Sequence, residues 1–176
     1  MFSARTDRPL EVVFPKWGLC VLESHHGPHF RMAATRHDYL KILYVLEGKG
    51  AVQRDGQGRG TPLEKGDLVV VPARSLHALH DDPGHPLALT VLCIHPRALG
   101  ALPEAPPELE RFGVLRNYAL AREADRLLRQ LFFEQSLARP ACAGMMTGLA
   151  FQLLASISRA HLHAARRDAP AGPPGS

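Results

Sequence analysis

The chain has 176 residues, a 45% hydrophobic and 22% charged composition and a formal net charge of +4, the balance of a globular protein with one core rather than of a disordered one. The basic residues are scattered, so the charge does not outline a nucleic-acid surface. No window approaches the ~18 consecutive apolar residues of a membrane span, and the amino end lacks an apolar signal core, so no membrane partner is expected. Three widely spaced cysteines, Cys20, Cys93 and Cys142, with no C-x-x-C pair, point to free thiols in a reducing cytoplasm.

In chain order, a polar lead-in gives way to Gly18 to Glu23, which reads as a strand. A histidine-rich turn follows, with His25, His26 and His29 expected at the surface, and then an extended stretch from Phe30 to Ala34. Leu40 to Leu46 is a solid β-forming run that exits through Gly48-Lys49-Gly50. Ala51 to Arg54 leads into the glycine-rich span Asp55 to Gly60, a hairpin loop, and Thr61 to Leu63 pairs back as an edge because Pro62 has no donor. Leu68 to Val71 is stopped by Pro72. Leu76 to His80 and Leu87 to His95 complete seven or eight short strands with turn signals every 8 to 12 residues, the spacing of an all-β sandwich or barrel.

The character then changes. Residues 100–117 are rich in proline and alanine and read as a connector. From Tyr118 to Ala138, Ala124, Leu127, Leu128, Leu131 and Phe132 recur at helical steps against a charged face, and a second helix is expected from Ala141 to about Ala165 with Met145, Leu149, Leu153 and Ile157 along one stripe. The short Arg139-Pro140 link makes the pair an antiparallel hairpin. Its apolar faces exceed what one barrel wall covers, which assigns Leu127, Leu131, Leu149 and Leu153 to a dimer contact. His161 and His163 suit a helix carboxyl end and need no further role. Residues 167–176 read as a flexible tail.

The run from His37 to Gly50 (HDYLKILYVLEGKG), followed by Gly66 to His77 (GDLVVVPARSLH), resembles the two signature motifs of cupins, and more narrowly the effector-binding barrel of AraC-type transcription regulators. The resemblance implies an all-β cupin, a double-stranded β-helix or jelly-roll-like barrel over residues 1–99, followed after the connector by a C-terminal antiparallel α-helical hairpin over residues 118–166. It also departs from the metal-binding pattern. His37 and His77 match two histidine positions, but Thr35 falls where the other first-motif histidine belongs and Lys41 where its glutamate belongs. Arg74 replaces a glycine.

Two of four metal ligands are therefore missing, and an ammonium stands where the metal's charge would sit. No metal or other cofactor is expected; if a metal were present, His37 and His77 would hold it. On a period of two, Thr35, His37, Tyr39, Lys41, Leu43 and Val45 share one strand face, which the resemblance places inside the barrel. Thr35, His37, Tyr39, Lys41 and His77 are the expected ligand-binding residues, with Lys41 suited to an anionic group. No nucleophile elbow or phosphate loop is present, so no catalytic residue is assigned and the chain is not expected to be an enzyme. The implied role is a small-molecule-sensing, homodimerising domain that reaches DNA only through a helix-turn-helix domain beyond Ser176. The other reading is a stand-alone metal-dependent cupin enzyme of dioxygenase or isomerase type.

Overall fold

The computed structural model describes residues 5–55, 58–100 and 106–167. The tail, 168–176, and part of the glycine-rich loop at 56–57 lie outside the described residues. Among the described residues, nine strands form two sheets. Strands β1 (Arg5–Thr6), β2 (Leu19–His26), β3 (Leu40–Glu47), β6 (Leu68–Val71), β8 (Ala88–Ile94) and β9 (Gly113–Leu115) make one, in the order β1-β2-β8-β3-β6-β9. Strands β4 (Lys49–Arg54), β5 (Thr61–Glu64) and β7 (His77–Asp81) make the other, in the order β5-β4-β7. All pairings are antiparallel except β1 with β2.

The order is non-sequential, because β3 lies between β6 and β8. Such connections wind the chain between two facing sheets, as a double-stranded β-helix requires. Side chains alternate across each strand, so β3 has two buried faces. Leu43 and Val45 meet Val69, Val71 and Leu89 with Val52 and Leu79 of the smaller sheet, inside the barrel. Leu40, Ile42 and Tyr44 point the other way, toward the helices. A strand buried on both sides should read as a nearly continuous apolar run, and LKILYVL does, with Lys41 as its one charge.

A short helix α1 (Pro96–Leu99) and a 3-10 turn (Pro107–Glu110) lead to β9. Residues 100–117 are thus more than a connector: β9 pairs with β6, Val69 opposite Val114, and completes the larger sheet. The glycine in Gly113-Val114-Leu115 hid this three-residue strand from a reading based on composition.

Helix α2 (Tyr118–Leu137) begins where the Asn117 side chain accepts the N–H of Leu120 at 3.0 Å, an N-cap that satisfies one of the free amides of the first turn. It ends at Ala138 in a left-handed conformation, φ 46°. Helix α3 (Cys142–Arg167) folds back against it. The expected hairpin is therefore present, with each end within two residues of the reading from periodicity. Gln135 ties it to the barrel: its amide oxygen accepts from Val21 N at 2.8 Å and its amide nitrogen donates to Val21 O at 2.7 Å, replacing a strand partner on that stretch of β2.

The assignment of the leucines needs correction. Leu127, Leu131 and Leu153 are 0% exposed and form one cluster with Leu19, Ile42 and Leu92, while Leu149 packs at its margin. The helices spend their apolar stripe on their own barrel, where each buried leucine is worth roughly 1.5–3 kcal/mol. The outer faces of β2, β3 and β8 supply the apolar wall that takes up this stripe, through residues such as Leu19, Ile42 and Leu92. The large apolar residues left exposed on the hairpin are Tyr118, Phe133, Leu137 and Met145.

The stretch from Phe30 to Ala34 forms no regular strand; only Thr35 bridges, to His77. No helix among the described residues is long and apolar enough to cross a membrane.

Candidate functional site in the barrel

Between the two sheets lies a cavity of about 60 Å³. Its walls are apolar, with Leu22, Leu43, Leu79, Leu89 and Val91 from the strands and Phe30 and Met32 from the loop after β2. Four polar side chains also line it: Ser24, His26, Lys41 and His77. The cavity exists because these strands turn one polar residue inward amid apolar neighbours, Lys41 on β3 before Leu43 and His77 at the start of β7.

His77 is 1% exposed. A pair of backbone hydrogen bonds, each 2.9 Å, joins it to Thr35, and its Nδ1–H donates to Ser75 O at 3.0 Å. That bond fixes the neutral tautomer, leaving Nε2 as an acceptor, and Nε2 is buried without a partner. His37 sits beside it, ring centroids 5.6 Å apart, and its own Nε2 is likewise buried and unpartnered. From His37 an aromatic row continues outward: Tyr39 at 4.9 Å, then Phe14 at 5.0 Å edge-on, then His95 at 5.4 Å.

Arg74 N donates to His37 O at 2.6 Å, with Arg74 in a left-handed backbone, φ 66°. The residue that replaces the motif's glycine keeps the conformation glycine adopts more cheaply.

The ammonium of Lys41 stands 5.7 Å from the centroid of the Tyr39 ring, and no carboxylate lies within ion-pair distance of it among the described residues. Burial lowers its pKa. His37 is pushed down to about 4, first by burial, then by the charges of Lys41 and His77. The His77 pKa is lowered as well, by burial and by Lys41, against the opposing pull of the Ser75 carbonyl. Burial also carries the Cys93 thiol, opposite Lys41 across β3 and β8, up to about 12, so it is inert packing rather than a nucleophile.

These shifts fix a pH dependence. His37 stays neutral in the fold below its ordinary pKa of 6.5 while the unfolded chain takes up a proton there, so unfolding binds protons and stability falls as pH drops from 6.5 toward 4. His77 acts in the same direction. Urea unfolding is expected to show a loss on the order of 2 kcal/mol across that window, after allowance for partial solvent screening at His37. A His37→Phe variant should flatten the profile; an unchanged slope would assign the effect elsewhere.

His26 is where the sequence reading misplaced a residue. Expected at the surface, it is 5% exposed. Its Nδ1 lies 2.9 and 3.1 Å from the two carboxylate oxygens of Asp81, and its ring stacks on Phe30 at 3.5 Å. Asp81 also accepts Leu87 N at 2.8 Å. The partner lies 55 residues away, so no local pattern could announce it. His25, by contrast, is half-buried against Glu23, and His29 and His80 are exposed.

Of the five expected ligand-binding residues, Lys41 and His77 line the cavity. His37 and Tyr39 form the aromatic row beside it, and Thr35 contributes the backbone bridge to His77. The cupin metal positions thus hold a hydroxyl, two imidazoles and an ammonium. Among the described residues no three His, Cys, Asp or Glu side chains gather as metal ligands, and an ammonium beside the imidazoles opposes a divalent ion, so this donor set does not fit one.

Two facing sheets with a lined interior, backed by a helical hairpin, define a cupin-type barrel. The sequence model of the AraC-like ligand binding domain matches residues 16–154, and the chain belongs to that family. Among solved structures it is similar to an RmlC-like cupin with a double-stranded β-helix fold from Methanocaldococcus jannaschii, at 16% identity over 57% of this chain and 92% of that one, TM-score 0.46. A cupin-like protein from Thermotoga maritima gives 26% identity over 45% of this chain and 59% of that one, TM-score 0.42. A variant of Bacillus subtilis oxalate decarboxylase gives 17% over 44% of this chain and 21% of that one, TM-score 0.38. No curated protein shows significant sequence similarity to the chain.

Proposed function

We propose that this chain is the small-molecule-sensing and dimerising unit of an AraC-type transcription regulator, and not an enzyme. The effector occupies the barrel, two copies pair through the helical hairpin, and DNA is bound by a helix-turn-helix domain joined to this unit. The observation that carries the reading is the cavity itself: an apolar lining that holds the buried His77 Nε2 without a protein partner, with the half-buried Lys41 beside it. Buried polar groups left unsatisfied cost stability, and a binding site is the usual reason a protein tolerates them. Family membership supports the same role. The ammonium of Lys41 at the glutamate position speaks against the metal-dependent enzyme. Three buried free cysteines suit a reducing cytoplasm.

A dimer on this reading uses the exposed residues near the hairpin turn, Phe133, Leu137 and Met145, rather than the buried leucines. A thermal-shift screen of small metabolites is expected to find ligands that stabilise the fold by about 2.7 kcal/mol at a hundredfold excess over Kd. Val91→Phe, which fills the cavity, removes the effect. In the same preparations, sedimentation shows a dimer that Phe133→Asp dissociates. Ligand turnover, or stabilisation that Val91→Phe leaves intact, would sink the proposal.

A further inference from the structure

We propose that the cavity takes a small, largely apolar monocarboxylate bearing a hydroxyl beside its carboxylate, with Lys41 pairing to the carboxylate and His77 Nε2 accepting from the hydroxyl. This rests on the sensing role above and names the chemical class of what is sensed.

Lys41 fixes the sign of the charge. It lies on the interior face of β3, between the register partners Val71 and Cys93, and one of its inward neighbours on the same strand is Leu43. Its ammonium stands over the face of Tyr39, and no carboxylate pairs with it among the described residues. A half-buried cation set in an apolar lining without a carboxylate partner is completed by an anion. The lining holds no acidic side chain. Asp81 is not part of the lining and is already engaged by His26 and by Leu87 N. With one cation in the lining, a monoanion balances the site and a dianionic phosphate would bury a charge in excess.

His77 fixes the second group. Because Nδ1–H is already given to Ser75 O, Nε2 presents a lone pair, and a buried lone pair without a donor is matched by an O–H or N–H on the ligand. A simple carboxylate would satisfy Lys41 and leave this atom orphaned. His26 and Ser24 are the remaining polar groups of the lining, and the rest is aliphatic or aromatic. Those walls accept an apolar body and disfavour a sugar, whose several hydroxyls would lose water without finding partners. The volume of about 60 Å³ lies far below the ~300 Å³ at which sites for larger ligands begin, so only a small metabolite suits it.

The test is isothermal titration with salicylate, α-hydroxyisovalerate, their deoxy counterparts benzoate and isovalerate, and the neutral benzyl alcohol and glucose. Wild type, Lys41→Met, His77→Phe and Val91→Phe are compared. At least one hydroxy acid is expected to bind about tenfold more tightly than its deoxy counterpart. Lys41→Met weakens the acids by about 10- to 100-fold, as loss of a charge-assisted hydrogen bond requires, while its melting temperature stays near that of wild type. His77→Phe erases the preference for the hydroxyl.

Failure of all four acids to bind at up to about 10 mM overturns the inference, as does acid binding that Lys41→Met or Val91→Phe leaves unchanged. If benzyl alcohol or glucose instead binds wild type and Lys41→Met alike, and Val91→Phe abolishes it, the anion assignment falls while the sensing role stands. Stabilising ligands that ignore Val91→Phe in the metabolite screen would remove the sensing role itself.

Discussion

Asp81→Ala is expected to destabilise the chain by about 2–5 kcal/mol, since deleting the buried carboxylate leaves two donors unpaired at about 1–3 kcal/mol each. The Asp81 side chain is 7% exposed and that of His26 2%. The carboxylate is shared between the His26 ring and the Leu87 amide, so its removal strands two donors at once. The damage should be felt in the cavity too, because His26 and Phe30, stacked on one another, both line it. Urea unfolding measures the loss. A companion His26→Phe, Asp81→Leu double variant, which replaces the pair by apolar groups, should recover part of it, the unpaired Leu87 N–H retaining the remainder. A loss below about 1 kcal/mol in the single variant would mean that water reaches the pair and that it is not the buried brace described here.

The second large effect is at Gly48, between β3 and β4. Its φ is +88°, and a Cβ built on it would meet Pro86 O at 2.1 Å, Pro86 C at 2.7 Å and His85 O at 2.9 Å. Those are backbone atoms, and His85 O is held in place by Lys49 N at 2.8 Å, so neither side can yield without parting the turn from the loop before β8. Gly48→Ala is therefore expected to cost more than about 3 kcal/mol, from left-handed strain added to steric overlap. Gly58→Ala is the control. Its φ is +72°, yet the added Cβ would meet nothing within 4 Å, so only the conformational cost of about 1 kcal/mol remains. Circular dichroism and urea midpoints of the two variants separate the contributions. Equal losses would show that the approach to Pro86 is relieved by a small shift.

The strands and helices that were legible in the sequence share one property: their signal is local. The apolar run of β3, the proline that ends β6 and the three- and four-residue steps of α2 each carry their periodicity within a few residues. The glycine, proline and histidine from Gly66 to His77 in register with His37 were enough to indicate a cupin, and the inward face of β3 followed from alternation alone.

The misses all depended on distance along the chain. His26 looked like a turn residue because its partner Asp81 is on another strand. β9 looked like a connector because a three-residue strand acquires its identity only from the β6 edge it completes. Leu127, Leu131 and Leu153 looked like a dimer seam because one helix's periodicity says that a face is buried but not against what. The site was legible in part. Lys41 and His77 come from motif positions, whereas Ser24, Phe30, Met32 and Val91 enter the lining through strand order and the path of a loop.

Strand β3 is a partition between two interiors. Its odd-numbered residues, Lys41, Leu43 and Val45, look into the barrel, and its even-numbered ones, Leu40, Ile42 and Tyr44, look into the helix-backed core. Under the proposed sensing role, recognition and architecture are written on alternate letters of the same seven-residue word. Substitutions on the odd letters can retune what the barrel admits while the helix contacts stay untouched, so such a domain can drift from one ligand to another without rebuilding its scaffold. A one-residue slip in register would exchange the two alphabets and drive the Lys41 ammonium into the leucines of α2 and α3.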